Sequence, residues 1–173
     1  MALDLPEVAR TELARWRDAA IDGRSELRRV PEAQLHVTLV FLGNTPPDEI
    51  GDLWEAVGAA AAGLQAPLLT PLGVEGVPPR RPRLFALDLH DTGDRAGRFH
   101  GRVSEALERT ERHPLWPHVT LARVRRGARA RALTVPGAMP FESFTAPALT
   151  LYRSQPTAAG ARYTPLRSLD LVS

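Results

Sequence analysis

Two of the five histidines in this 173-residue chain stand in the same four-letter setting, HVTL at 36–39 and HVTL again at 118–121. On a β-strand side chains alternate with period two, so His36 and Thr38 share one face while Val37 and Leu39 turn to the other. The same parity joins His118 to Thr120 and sends Val119 and Leu121 towards a core. Each motif therefore presents one imidazole beside one hydroxyl. That set suits transfer at a phosphodiester, where a base takes a proton from the attacking oxygen and an acid protonates the leaving one. Two imidazoles with an ordinary pKa of about 6.5 can hold opposite protonation states near neutrality. Threonine hydroxyls can donate to the non-bridging oxygens, and arginines can balance the charge that grows there.

The competing chemistry is metal binding, since two histidines supply half of a zinc site. The chain has no HExxH, no carboxylate spaced as a ligand inside either motif, and no use for the threonines in such a site. No metal and no cofactor are expected. His90 at a strand end, His100 on a helix and His113 in the HPLWP connection read as structural or exposed. All 22 basic residues are arginine. Without lysine there is no Walker-type phosphate loop, no Schiff base and no lysyl-nucleotide intermediate. Arginine is nonetheless the better bidentate partner for phosphate. With a net charge of only +2, anion affinity must come from clustering, and arginines 80, 81, 83, 123, 125 and 126 are the candidates for a basic rim.

The elements that position the motifs are also written twice. ALDL at 2–5 and ALDL at 86–89 precede the two HVTL words by similar spacings, 34 residues from Ala2 to His36 and 32 from Ala86 to His118. This predicts a duplicated chain with pseudo-twofold halves at roughly 1–78 and 79–173, within one domain. Each half reads as a strand (ALDL), a helix, and a β-rich run holding HVTL. Ala9, Leu13, Trp16 and Ala20 recur at helical spacing behind Pro6, and Phe99, Val103, Ala106 and Leu107 do so in the second half. A further helix follows TPPDEI, with Ile50, Leu53, Trp54, Val57, Ala61 and Leu64 on one face. More strands are expected near 67–77, 81–89, 140–152 and 162–171, split by turns such as GVPPRRP and QPTAAG. The stretch RRGARARALTVPG at 126–137 reads as an exposed basic loop or one short helix. The fold class is α+β: two antiparallel-rich sheets face a central cleft, with helices outside and a His-Thr pair on either side.

Composition fits this plan. Hydrophobic residues at 43% and charged ones at 24% belong to a globular chain rather than a disordered one. The most apolar window, AVGAAAAGLQAPLL at 56–69, is too short and too broken for a span of about 20 apolar residues, so no membrane contact is expected. The amino terminus lacks the pattern of a signal peptide. With no cysteine, the reading is a reducing, cytoplasmic compartment.

The paired HxTx motifs resemble those of the two-histidine (2H) phosphoesterase superfamily, and within it the RNA 2′,3′-cyclic phosphodiesterases, also called 2′-5′ RNA ligases. The likeness runs through ALDLPE at 2–7, QLHVTLVFLG at 34–43, RPRLFALDL at 81–89, PHVTLARV at 117–124 and LYRSQPTAAGARYTPL at 151–166. It implies a bilobal α+β fold and hydrolysis of an RNA terminal 2′,3′-cyclic phosphate to a 2′-phosphate. By the same likeness His36 is the proton donor, His118 the proton acceptor, and Thr38, Thr120 and Arg123 hold the phosphate. Strand parity objects to Arg123, which as an odd position should share the face of Val119 and Leu121 unless a bulge or the strand end frees it. The substrate implied is an RNA end, with tRNA fragments among the candidates, and a monomer is expected. Reverse 2′-5′ joining would use the same two histidines. The alternatives are an RNA-end-binding module without turnover, or a phosphodiesterase for small cyclic nucleotides. Relatives usually carry a few residues ahead of the first ALDL-like strand, so that strand is expected to fray here.

Overall fold

The computed structural model describes residues 1–109, 113–135, 137–157 and 160–172. Strand β1 (Ala2–Asp4) leads into helix α1 (Glu7–Ile21), strand β2 (Leu27–Arg29), a 3-10 turn at Glu32–Gln34 and the first motif strand β3 (His36–Thr38). Another 3-10 turn at Pro47–Glu49 opens α2 (Ile50–Ala61), after which come β4 (Leu68–Val77) and β5 (Leu84–Asp91). Helix α3 (Arg95–Ala106) precedes the second motif strand β6 (His118–Val124), and β7 (Phe144–Thr145), β8 (Ala148–Thr157) and β9 (Gly160–Asp170) close the order.

These nine strands form one curled antiparallel sheet in the order β7-β4-β5-β6-β3-β1-β8-β9, with β2 also on β6. The α+β class stands, but the two separate sheets of the sequence reading do not. The reason is local: β3 and β6 pair at Val37 and Val119, which links the run β7-β4-β5-β6 to the run β3-β1-β8-β9 in one sheet. The His-Thr pairs therefore sit on neighbouring strands of a single curved face.

The apolar halves of both motifs hold this centre together. Val37, Val119, Leu3, Leu87 and Leu121 are fully buried. They join Leu13 of α1, Val57 of α2 and Phe99 and Val103 of α3 in one core cluster. Burial of each such side chain stabilises by about 1.5–3 kcal/mol, so this side of the sheet is strongly specified. The helical stripes follow the spacing read from sequence, except that Ala106 is exposed. Buried Arg17 on α1 bonds to the Val30 carbonyl at 2.5 Å, and the Val30 N–H bonds to Leu121 O at 2.9 Å. These bonds tether the segment that enters β3.

β1 is not frayed. It pairs with β3 on one side and β8 on the other, and Met1 O accepts from the N–H groups of Leu39 and Val40. The basic stretch after β6 is a loop, irregular through 128–135, with Arg24 donating to the carbonyls of Arg131 and Ala132. Pro136 of that stretch, and residues 158–159 of the turn read at QPTAAG, lie outside the described residues. Among the described residues no helix is long and apolar enough to cross a membrane.

Candidate active site

The repeated words meet in repeated registers. On β1 and β3, Ala2 lies opposite Thr38, Leu3 opposite Val37 and Asp4 opposite His36. On β5 and β6, Ala86 lies opposite Thr120, Leu87 opposite Val119 and Asp88 opposite His118. Directly opposed residues of an antiparallel pair project to the same face. Both histidines, both threonines and both aspartates are thereby placed on the face opposite the helices. A cavity of about 710 Å³ is lined by His36, Thr38, His118, Thr120 and Arg123 together. A second cavity of about 480 Å³ adjoins it, sharing His36, Thr38, Phe41 and Tyr163 and reaching the apolar Leu53 and Leu166.

Each imidazole is fixed in the same way. His36 Nδ1 is 2.8 Å from the carbonyl of Gln34, and His118 Nδ1 is 2.8 Å from the carbonyl of Trp116. A carbonyl only accepts, so Nδ1 carries a proton in both rings and Nε2 is the nitrogen left for proton exchange. His36 Nε2 lies 3.2 Å from Thr38 Oγ1. The chain's two tyrosines both lie against His36. Tyr152 is roughly parallel to its ring, with centroids 5.9 Å apart, and Tyr163 meets it edge-on at 4.9 Å. His118 is stacked on Trp116 at 4.0 Å.

Burial is the largest influence on both histidines and lowers each pKa below the ordinary imidazole value. The Gln34 carbonyl and the Asp4 charge oppose this at His36, while the terminal ammonium of Met1 and the second histidine add to it. At His118 the Trp116 carbonyl and Asp88 oppose it, and Arg123 adds to it. Tyr152 is pushed well up from its ordinary value, first by burial and then by its bond to Asp4, so it stays a neutral hydroxyl donor.

Arg123 reaches the cavity because β6 carries a bulge. The ladder with β5 slips between Ala86–Thr120 and Phe85–Ala122, leaving Leu121 as the extra residue. Leu121 and Ala122 are consecutively buried, the alternation inverts, and Arg123 emerges exposed on the side of His118 and Thr120. Of the other arginines expected at the rim, none lines this cavity; Arg80 lines a separate groove with Arg131. The cations at the site are instead Arg28, Arg29, Arg123 and Arg162. Arg28 is the register partner of Arg123 across β2 and β6.

Sequence reasoning missed Asp4, Asp88, Trp116, Tyr152 and Tyr163. The aspartates were visible as the third letter of each ALDL, and strand pairing of ALDL with HVTL would have put them beside the histidines. His100 bonds the Leu39 carbonyl at 2.8 Å from α3, which is the structural role read for it. Among the described residues no group of three His, Asp or Glu side chains is placed to hold a metal.

The chain is 32% identical over 180 residues to the RNA 2′,3′-cyclic phosphodiesterase of Thermus thermophilus, covering 98% of this chain and 88% of that protein. It is 29% identical to a protein of the same name from Geobacillus stearothermophilus, over 89% of this chain and 51% of the relative. Its fold matches the crystal structure of TT0787 from T. thermophilus with a TM-score of 0.77 and 28% identity, over 98% of this chain and 95% of that one. E. coli LigT in complex with 3′-AMP matches with a TM-score of 0.75 and 25% identity, over 99% and 96% of the two chains. Residues 5–157, which include both motifs, match the model of the 2′-5′ RNA ligase superfamily, and the chain belongs to that family.

Proposed function

We propose that this protein hydrolyses RNA terminal 2′,3′-cyclic phosphates to 2′-phosphomonoesters by two-histidine acid–base catalysis without a metal. The observation that carries this reading is the matched placement of His36 and His118. Each has Nδ1 tied to the carbonyl two residues before it, and both line one cavity with Thr38, Thr120 and Arg123. In this scheme His118 Nε2 takes a proton from water as its oxygen attacks phosphorus. The bond from phosphorus to O3′ breaks, protonated His36 gives its Nε2 proton to O3′, and the phosphate remains on O2′. Thr38, Thr120 and Arg123 bond the non-bridging oxygens as charge accumulates on them. The curated relatives carry the name of this activity, and E. coli LigT is described in complex with 3′-AMP. Joining of a 5′ hydroxyl to the cyclic phosphate is the same path with the alcohol in place of water. The equivalent registers of ALDL on HVTL support a duplicated, pseudo-twofold chain, in which acid and base descend from one ancestral histidine.

The test is incubation with a short RNA ending in a 2′,3′-cyclic phosphate, with the products resolved as 2′- or 3′-phosphate. A 2′-phosphate is expected, at a rate that depends on both histidines. Tight binding of the RNA end without turnover would replace the enzyme reading with that of a binding module.

A further inference from the structure

Each imidazole has a carboxylate across the ladder from it, and in both cases an aromatic side chain ties the two together. The Tyr152 hydroxyl donates to Asp4 Oδ1 at 2.7 Å, while its ring lies over His36 at an interplanar angle of 23°. Trp116 Nε1 donates to Asp88 Oδ1 at 2.7 Å, while its indole lies over His118 at an angle of 20°. The two aromatics come from unrelated places, Tyr152 on β8 and Trp116 in the connection two residues before its own histidine. Two different side chains supply the same pair of features, a flat ring and a polar hydrogen at its edge. Core packing alone would not require that hydrogen.

We propose that Asp4 and Asp88 are positioning residues, each anchoring the aromatic plate that fixes the plane of the adjacent histidine, His36 or His118. The role assigned to these carboxylates rests on the reading of the two histidines as acid and base. An imidazole has two torsions to lose. The in-plane bond from Nδ1 to a carbonyl aims the ring, and the stacked plate stops its rotation about that bond. Nε2 is then held in one direction, and an acid or base transfers its proton efficiently only when aligned before the reaction begins.

The two sides are built with unequal rigidity. Asp4 Oδ2 also accepts from Thr150 Oγ1 at 2.7 Å, and Thr150 lies 3.0 Å from Ser168 Oγ, so three strands hold that carboxylate. The Trp116 plate over His118 is the more open one, 38% exposed. The carboxylates also favour the protonated rings. The groups facing His36 are Asp4, Tyr152, Tyr163, the Met1 ammonium and His118, and those facing His118 are Asp88 and Arg123.

Asp4→Asn and Asp88→Asn keep an acceptor for the aromatic donor and delete the charge. Asp4→Ala and Asp88→Ala delete both, and Tyr152→Phe deletes the hydroxyl while keeping the ring. Two readouts are needed: nitrogen-15 NMR of the histidine tautomers in the unliganded protein, and kcat and KM across pH with an RNA ending in a 2′,3′-cyclic phosphate. The alanine variants and Tyr152→Phe are expected to lower kcat by roughly 10-fold or more with KM changed by less than about 2-fold. They are also expected to blur the Nδ1-H tautomer of the adjacent histidine alone. Loss of a negative charge lowers imidazole proton affinity, so Asp88→Asn moves the acidic limb of kcat/KM to lower pH and Asp4→Asn moves the alkaline limb to lower pH. If an alanine variant fails to fold, the asparagine variants and Tyr152→Phe carry the test. Folded variants with unchanged tautomer signals and limbs, or a loss confined to KM, would overturn the proposal. The NMR readout needs no turnover: activity that survives His36→Ala and His118→Ala refutes the catalytic reading, whereas unmoved tautomers refute the positioning role.

Discussion

Val37 lies directly opposite Val119 in the antiparallel ladder of β3 and β6, and this pair sets the frame of the site. In that register His36 falls across from Thr120 and Thr38 across from His118. Each imidazole thus has its own motif's hydroxyl two residues along and the other motif's hydroxyl on the neighbouring strand. Both valines are fully buried, so a slip of one residue would move a histidine into the core and a valine into the cavity. The register of the chemistry is therefore held by apolar packing on the opposite face of the sheet.

The first expectation is that both histidines are required and no metal is. Single substitutions His36→Ala and His118→Ala should each lower kcat by about 10²–10⁴-fold, the usual worth of a general acid or base. Circular dichroism should remain native, because each ring is only half-buried and makes no core contact equivalent to Val37 or Val119. Chelation by EDTA should leave the rate unchanged. Full activity in either variant, or activity lost to the chelator and restored by zinc, refutes this.

The pH dependence follows from the direction of both shifts. Burial lowers the two imidazole pKa values in the unliganded protein, so the form with one ring protonated and one neutral is most populated below the ordinary value of about 6.5. The profile of kcat/KM should be a bell with its maximum on the acid side of that value. A bound phosphate favours imidazolium, so the profile of kcat should lie at higher pH than that of kcat/KM. The apparent values belong to the coupled pair. A rate that climbs steadily into the alkaline range would point to hydroxide attack instead.

Much of this site is legible in the amino-acid sequence alone. Strand parity places His36 with Thr38 and His118 with Thr120, and the same parity leaves Arg123 on the wrong face unless a bulge or the strand end frees it; the bulge is found at Leu121. What stays hidden depends on pairing between distant segments. Nothing local to Tyr152 or Tyr163 marks them as neighbours of His36; they arrive because β8 adds to β1 and β9 to β8. The number of sheets is hidden for the same reason, since the pairing of Val37 with Val119 is what links the run β7-β4-β5-β6 to the run β3-β1-β8-β9. The basic rim is misread apart from Arg123, because arginines close in sequence, such as Arg80 and Arg83, sit at the β4–β5 connection and do not line the cavity that holds both histidines.

The threonines and Arg123 should separate in kinetics. If Thr38 and Thr120 bond the non-bridging oxygens as proposed, Thr38→Val and Thr120→Val should each cost about 10²–10³-fold, mostly in kcat. Serine at either position should restore most of the rate. If Arg123 bonds the phosphate as proposed, Arg123→Ala should lose a charge-assisted bond of about 1.5–3 kcal/mol, or roughly 10–150-fold in kcat/KM. Arg123→Lys should recover only part of it, since a single ammonium cannot reproduce the planar fork. Equal activity of Arg123→Ala and wild type would remove Arg123 from the phosphate site.

The last expectation joins product to partner. If protonated His36 serves O3′, the ring opens on that side and the phosphate stays at O2′; a 3′-phosphate would mean the substrate lies reversed, with acid and base exchanged. Arg28, Arg29 and Arg162 border the same cavity and offer the rest of an RNA strand a basic path away from the cyclic end. Each phosphate they neutralise releases counterions, so log K for an oligonucleotide should fall with log salt by about 0.7 per contact. A nucleoside 2′,3′-cyclic monophosphate reaches only the central groups and should respond less. Arg29→Ala and Arg162→Ala should each reduce the oligonucleotide slope by about 0.7 while leaving kcat for the mononucleotide unchanged. If salt weakens both substrates alike and neither substitution alters the slope, the arginines are a solvated surface and the natural substrate is small.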